Sequence, residues 1–196
     1  MKKLFTLVVL ALATLTINAQ SDKKFTVKVG LGSSSMVGSD SKAYDAAFGF
    51  KIGVTYDWAL TENFYIIPGL ELADKAVKND PFFKGRVDRF YLQVPISAAY
   101  KFNLSDNTKL TLKAGPYLAY GIDGTTADKY ILDAHFHYDI FSDNFCRRFD
   151  AGVLVGAQVE LSRFVLGAEY SRGLTKQNSD FSAYNQAWGV VLGYKF

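Results

Sequence analysis

The sequence predicts an all-β fold, an eight-stranded antiparallel up-and-down transmembrane β-barrel, and three observations carry that prediction. Apolar residues alternate with small or polar residues in eight segments, the period-two pattern of a strand with two unlike faces. Most segments have the length, roughly 9 to 11 residues, that a tilted strand needs to cross a bilayer. The connections between the segments are alternately long and short.

The composition excludes several other classes of protein. The 196 residues are 49% hydrophobic and 15% aromatic, with 16 Gly and 4 Pro, which excludes disorder and a collagen-like chain. Apart from the N-terminus, no apolar run is long enough for a membrane helix, so any membrane crossing must use strands. The net charge of +3 falls to +1 without Lys2 and Lys3, so we expect no nucleic-acid partner.

The first four elements show the alternation most clearly. In the second, Phe48 to Trp58 alternates apolar residues with Gly, Lys, Thr and Asp for eleven positions without an error. The fourth is the longest and ends in Tyr100, Lys101 and Phe102. The predicted strands of this half are residues 25–32, 48–58, 64–73 and 89–102.

The last four elements repeat the pattern. In the sixth, Val153, Val155 and Ala157 oppose Gly and polar residues, and the eighth closes the chain with Tyr194 and Phe196 in its apolar row. The predicted strands are residues 110–121, 149–161, 164–171 and 187–196. Prolines can displace a strand by one residue, and we expect any such β-bulge near Pro68, Pro95 or Pro116.

The composition of the two faces decides between a soluble and a membrane barrel. The face opposite the bulky apolar residues is built of Gly, Ala, Ser and Thr with scattered charges, which suits the crowded interior of a narrow barrel. The bulky face then points at lipid, and the charges pair inside. The predicted interior charge network is Lys28, Lys51, Glu71, Arg89, Lys101, Lys113, Asp150, Glu160, Glu169 and Lys195.

Aromatic residues and connection lengths orient the barrel. Aromatic residues gather near both ends of the segments, as in the girdles at the two surfaces of a membrane. Short turns follow the even segments and long loops follow the odd ones, as in an outer-membrane barrel with both chain ends in the periplasm. Eight strands leave an interior that side chains just fill, so we expect a closed barrel and no pore.

The N-terminus predicts export. Lys2 and Lys3 precede the apolar residues 4–17, and Ala19 is the small residue expected before a signal-peptidase cut. The apolar stretch is shorter than the roughly 20 residues of a membrane helix. We therefore expect residues 1–19 to be a cleaved signal peptide and residues 20–196 to form one barrel domain.

Five short motifs resemble the PorT-like outer-membrane β-barrel domain family of Gram-negative bacteria. They are Y-L-Q-V-P-I-S-A-A-Y-K-F at 91–102, A-G-P-Y-L-A-Y-G at 114–121, D-A-G-V-L-V-G-A at 150–157, Y-S-R-G-L-T at 170–175 and G-Y-K-F at 193–196. The resemblance implies an eight-stranded barrel in the outer membrane and little about activity. The alternating apolar residues that end at Phe196 also resemble the C-terminal strand that outer-membrane assembly machinery reads.

The longest connection holds the best candidate for metal chemistry. Asp133, His135, His137 and Asp139 alternate, so an extended chain would place two imidazoles and two carboxylates on one face, a set that could bind zinc. A polar extension of the neighbouring strands explains the same pattern, and we favour it, with no metal and no cofactor. Cys146, in the same connection, is interpreted as a lone unreactive thiol.

Three functions remain open from the residues. We expect a non-enzymatic, monomeric barrel that contacts outer-membrane lipid and acts structurally or through its loops on a ligand or protein that the sequence does not name. One alternative is an outer-membrane enzyme acting on lipid or peptide, with a nucleophile among Ser33, Ser34, Ser35 and Ser171 and a base from His135 or His137. The other is a soluble, lipocalin-like periplasmic carrier.

Overall fold

The computed structural model is a closed antiparallel barrel, as predicted. It describes residues 24–39, 45–78, 85–127, 140–141, 146–177 and 182–196. Its strands are β1 Phe25–Val37, β2 Asp45–Tyr56, β3 Trp58–Ala59, β4 Phe64–Asp74, β5 Val77–Lys78, β6 Arg86–Ser105, β7 Thr108–Ala127, β8 Phe149–Leu161, β9 Phe164–Gly173 and β10 Tyr184–Lys195.

The ring contains eight membrane-crossing strands, because the two shortest of the ten assigned strands, β3 and β5, prolong their neighbours. β3 continues β2 beyond Asp57 and pairs with β4, and β5 continues β4 beyond Ala76 and pairs with β2 and β6. Each membrane-crossing strand pairs with the next one along the chain, and β1 pairs with both β2 and β10. The last strand therefore hydrogen-bonds to the first, which leaves no open edge.

The ends of the barrel differ in their connections. At the end defined here as the turn end, Asp106 and Asn107 join β6 to β7, and Ser162 and Arg163 join β8 to β9. Ser162 has a φ of 56°, the left-handed conformation of a tight turn. Residues 24 and 196 lie at the same end. The opposite end, called the loop end, carries all four long connections, which confirms the predicted asymmetry.

Several strands extend beyond their predicted ends on the loop side. β6 and β7 each contain 20 residues, and β1 continues to Val37, whereas alternation predicted an end at residue 32. Outside the hydrocarbon region the outer face of a strand need not be apolar, so pairing continues where the sequence pattern stops.

The strand register corrects one expectation about the prolines. Pro68 pairs with Ile96, Pro95 with Tyr117 and Pro116 with Val153 without any register shift. The shifts lie instead between Phe90 and Tyr91 and between Asn103 and Ser105 in the β6–β7 pair. Proline lacks only the N–H donor, so the register is preserved at all three positions.

The two faces of the wall are placed as the alternation predicts. Phe50, Val94, Val155 and Leu192 are 39%, 41%, 46% and 56% exposed on the outside, whereas Gln93 is buried inside. A soluble carrier would bury its bulky apolar face inside the barrel. The soluble-carrier alternative is therefore wrong. Among the described residues, no helix has the length and hydropathy needed to span a membrane.

Aromatic side chains cluster at both ends of the outer surface. At the turn end the ring centroids of Tyr100 and Phe102 lie 4.7 Å apart, and those of Phe164 and Tyr194 lie 5.5 Å apart. The loop-end girdle contains two cross-strand pairs, Tyr120 with Phe149 and Tyr170 with Trp188. These two girdles mark the boundaries of the apolar band.

Ile96→Arg should destabilise the barrel by roughly 2–4 kcal/mol, because Ile96 faces outward on β6 midway between Phe90 and Phe102, where a charge would meet the centre of the bilayer. The same change at Phe164, in the turn-end girdle, should cost roughly 0–1 kcal/mol. Urea unfolding of both variants in lipid vesicles measures the difference. Equal costs at the two positions would contradict the assigned membrane depth.

Candidate functional site

The candidate site is the barrel interior, where the charges form three clusters stacked along the axis. The turn-end cluster is Asp57, Lys101, Glu160 and Lys195, and the middle cluster is Lys28, Lys51, Glu71, Lys113 and Glu169. The loop-end cluster is Lys75, Arg89 and Asp150. Each side chain points inward because it belongs to the face of small residues or lies just beyond a strand end on that side.

The turn-end cluster is a balanced square of two ammonium groups and two carboxylates. Lys101 Nζ lies 2.6 Å from Asp57 Oδ2 and 2.5 Å from Glu160 Oε1, and Lys195 Nζ lies 2.5 Å and 2.8 Å from oxygens of the same two carboxylates. Thr111 Oγ1 donates to Glu160 Oε1 over 2.9 Å. A cavity of about 520 Å³ leads from this cluster to the turn end.

The middle cluster centres on Glu169. Its carboxylate accepts from Lys28 over 3.0 Å, from Lys113 over 2.7 Å and from Lys51. Glu71 is 2.5 Å from Lys28 and accepts from Gln93 Nε2 over 3.3 Å. Three ammonium groups thus share two buried carboxylates, so the loss of one carboxylate would leave several charges uncompensated.

Asp150 is the hub of the loop-end cluster, and its side chain is fully buried. Its Oδ2 accepts from Lys75 Nζ and Asn185 Nδ2, each over 2.9 Å, and from the Tyr117 hydroxyl over 3.2 Å. Its Oδ1 accepts from Thr175 Oγ1 over 2.8 Å. The ammonium of Lys75 also lies 4.4 Å from the centre of the Tyr117 ring. One carboxylate therefore connects four different segments of the chain.

An apolar cap lies beyond this cluster at the loop end. It consists of Met36, Val77, Val87, Tyr91, Tyr117, Ala119, Ile140, Phe141, Cys146, Leu154 and Ala183, all buried. Ile140 and Phe141 come from the long connection between β7 and β8, so that connection inserts two side chains into the barrel mouth. The ring of Phe141 packs edge-on against Tyr91, with centroids 5.3 Å apart.

Two glycines of β7 make room for the inserted side chains. A Cβ on Gly121 would lie 2.4 Å from the ring of Phe141, and a Cβ on Gly124 would lie 2.2 Å from Ile140 Cγ1. Both distances are far below van der Waals contact. Any larger residue at these positions would therefore displace the cap.

The structure places all the predicted interior charges in these clusters, but it does not bring them into a single network. Arg89 differs from the rest, because its Nε donates to the backbone oxygen of Lys75 over 2.9 Å and its Nη1 lies 3.8 Å from Cys146 Sγ. Cys146 is a free, buried cysteine whose thiol donates to Gln177 Oε1 over 3.4 Å. Asp133, His135, His137 and Asp139 lie outside the described residues.

Sequence reasoning missed two charged members of the site. Asp57 stands on the interior side of the second predicted segment, so the alternation could have placed it in the network. Lys75 follows the end of β4, where the alternation has stopped, and nothing in the sequence pattern marked it. The sequence alternation did not indicate the uncharged partners of Asp150 either, because Asn185 and Thr175 lie at or beyond strand ends.

Comparison with known proteins gives a family and a fold. A family model described as "Outer membrane protein beta-barrel domain" matches residues 18–177. No curated protein matches the chain. The solved structure of the outer membrane enzyme PagL is 12% identical, with a TM-score of 0.53 over 87% of this chain and 99% of that one. Neisserial surface protein A is 18% identical, with a TM-score of 0.54 over 88% of this chain and 97% of that one. At these identities the two likenesses concern the fold alone.

Glu169→Gln should destabilise the barrel by roughly 3–5 kcal/mol, because it leaves the buried ammonium groups of Lys28 and Lys113 and the half-buried one of Lys51 beside Glu71 alone. Urea unfolding in lipid vesicles measures the loss. Adding Lys113→Met should recover part of it, since one uncompensated charge is then removed. Glu62→Gln, at an exposed turn position, is the matched control and should change nothing measurable. A loss below roughly 1 kcal/mol for Glu169→Gln would show that water reaches the middle cluster.

Proposed function

Because the chain belongs to the outer membrane protein β-barrel domain family, we propose that it is a non-enzymatic, closed barrel with a structural or surface-interaction role. The observation that carries this proposal is that side chains fill the described interior from the turn-end cluster to the apolar cap, inward of the cavity at the turn end. Three ion clusters and an apolar cap succeed one another from the turn end to the loop end. An interior of this kind supports neither a water-filled channel nor a large enclosed ligand site.

The loop end is the part of the barrel best suited to contact other molecules. Asp150 ties Thr175 and Asn185, on either side of one long connection, to the interior, and Ile140 and Phe141 anchor another. These contacts fix the described ends of the two connections, which lowers the entropic cost of binding a partner there. The proposed role is therefore contact with surface ligands or partner proteins through the loops.

Export and assembly belong to the same proposal. Residues 1–19 act as a signal peptide that is cleaved before Gln20, the chain is a PorT-like member of its family, and the mature barrel is a monomer. The outward row of β10, with Val190 and Leu192 more than half exposed, supports recognition of the C-terminal strand by outer-membrane assembly machinery. Tyr194 and Phe196 continue this row with their rings 4.9 Å apart.

A channel assay tests closure. The purified protein in planar lipid bilayers should give no stepwise conductance, because the turn-end and middle clusters already block the interior. An Ile140→Ala/Phe141→Ala variant, which removes the two inserted side chains of the cap but leaves these clusters, should also show no conductance steps. Discrete conductance steps from the wild-type protein, at amplitudes comparable to those of a porin measured in parallel, would contradict a closed barrel.

An activity screen tests the non-enzymatic assignment. Neither lipid A nor a peptide library should be turned over, because the proposed barrel acts through contact with ligands or partner proteins and not through catalysis. Ser34 is buried in β1, and the two histidines lie outside the described residues. His135→Ala and His137→Ala are the matched variants. Turnover by the wild-type protein that either variant abolishes would establish the enzyme instead.

A further inference from the structure

The exposed cations at the loop end are distributed unequally around the barrel. On the side of β2 and β6, Arg86 pairs with Asp74 over 3.2 Å and with Asp88 over 2.6 Å, and Lys78 stands opposite Asp45 in the strand register. On the side of β8 and β9 the exposed cations are Arg147, Arg172 and Lys176. Within the described part of the chain, no ion pair joins Arg172 or Lys176 to a carboxylate.

Arg172 lies at the loop-end border of the apolar band. It belongs to the outward row of β9, two residues beyond Tyr170, which pairs with Trp188 in the loop-end girdle. Its cross-strand neighbour Val153 is an exposed apolar residue of the barrel surface, so the backbone of Arg172 is still level with acyl chains. A long arginine side chain at such a position extends toward the interface, which brings its guanidinium to the phosphate groups.

Lys176 is held in place beside Arg172 by the interior. Thr175 donates to Asp150 and accepts from the N–H of Ala151 over 3.1 Å. On the other side, the buried Gln177 side chain accepts from the Tyr91 hydroxyl over 2.9 Å. Residues fixed on both sides leave Lys176 little backbone freedom, so little entropy is lost when a ligand binds it.

We infer that Arg172 and Lys176 form a docking surface for a phosphate group of a lipid in the outer leaflet. A guanidinium binds a phosphate in bidentate fashion, and a neighbouring ammonium adds a point charge. Leu174, 63% exposed between Arg172 and Lys176, offers an apolar contact for the acyl part of the same lipid.

This inference extends the proposed function, a barrel that acts through its loop end, by naming a lipid as one partner of that surface. The charge of the surface fits the ligand, whereas on the opposite side Arg86 is already neutralised by Asp74 and Asp88. The bound lipid would be a phosphorylated one such as lipid A, and free phosphate would lack the contact to Leu174.

Binding of lipid A to the reconstituted full-length barrel tests the inference. The protein is placed in phosphatidylcholine vesicles with or without lipid A, and retained lipid A is counted by native mass spectrometry after extraction and measured by titration. Arg172→Gln and Lys176→Gln should each weaken binding roughly 5-fold, and the double variant roughly 30-fold. Lipid A stripped of its phosphates should bind the wild-type protein no better than the double variant binds intact lipid A.

Lys78→Gln is the matched control, since it removes an exposed cation from the same end on the opposite side, and it should bind lipid A like the wild-type protein. Unchanged binding by the double variant, or equal losses in the double variant and Lys78→Gln, would overturn the inference. Competition by inorganic phosphate alone would also overturn it, because a free anion would then be the ligand. Unaltered urea unfolding of all the variants shows that folding is intact, and the conductance assay reports on the closed barrel independently.

Discussion

The hydrogen bonds between β1 and β10 are the constraint on which the rest of the structure depends. In a bilayer every backbone N–H and C=O must find a partner within the protein, and only a sheet that meets itself satisfies this for strands. Register pairs from Thr26 with Lys195 to Val37 with Tyr184 close the ring. Once the ring is closed, each strand has one face in lipid and one face in a narrow interior. Bulky apolar side chains occupy the first face, and small or charged side chains occupy the second.

The charges of the interior must be stabilised without much water, because eight strands enclose too little space for water to solvate many of them. The chain achieves this by placing opposite charges together within each cluster. Glu169 gathers three lysines, Asp150 gathers four hydrogen-bond donors, and the turn-end square balances two charges of each sign. The apolar cap covers the loop-end cluster, and the cavity at the turn end lies beside Lys101 and Lys195 of the turn-end cluster.

Sequence alternation predicted the part of this arrangement that membrane physics dictates. Bulky residues such as Leu192 must face lipid and residues such as Glu169 must face inward, so period-two patterning located both the walls and most interior charges. Lys75 and the inserted side chains of Ile140 and Phe141 were beyond prediction, because they lie where chain direction changes and periodicity ends. Their positions follow from packing against Asp150, Gly121 and Gly124, which only the folded chain brings near them.

Lys195 stands at the very end of the final strand, yet its ammonium is shared by Asp57 and Glu160 from distant parts of the chain. Without β10 those two carboxylates would have Lys101 alone between them, and the turn-end cluster would carry one uncompensated negative charge. The strand that supplies the last backbone hydrogen bonds of the ring therefore also supplies the ammonium that balances its turn-end cluster. Ring closure and charge balance depend on the same strand.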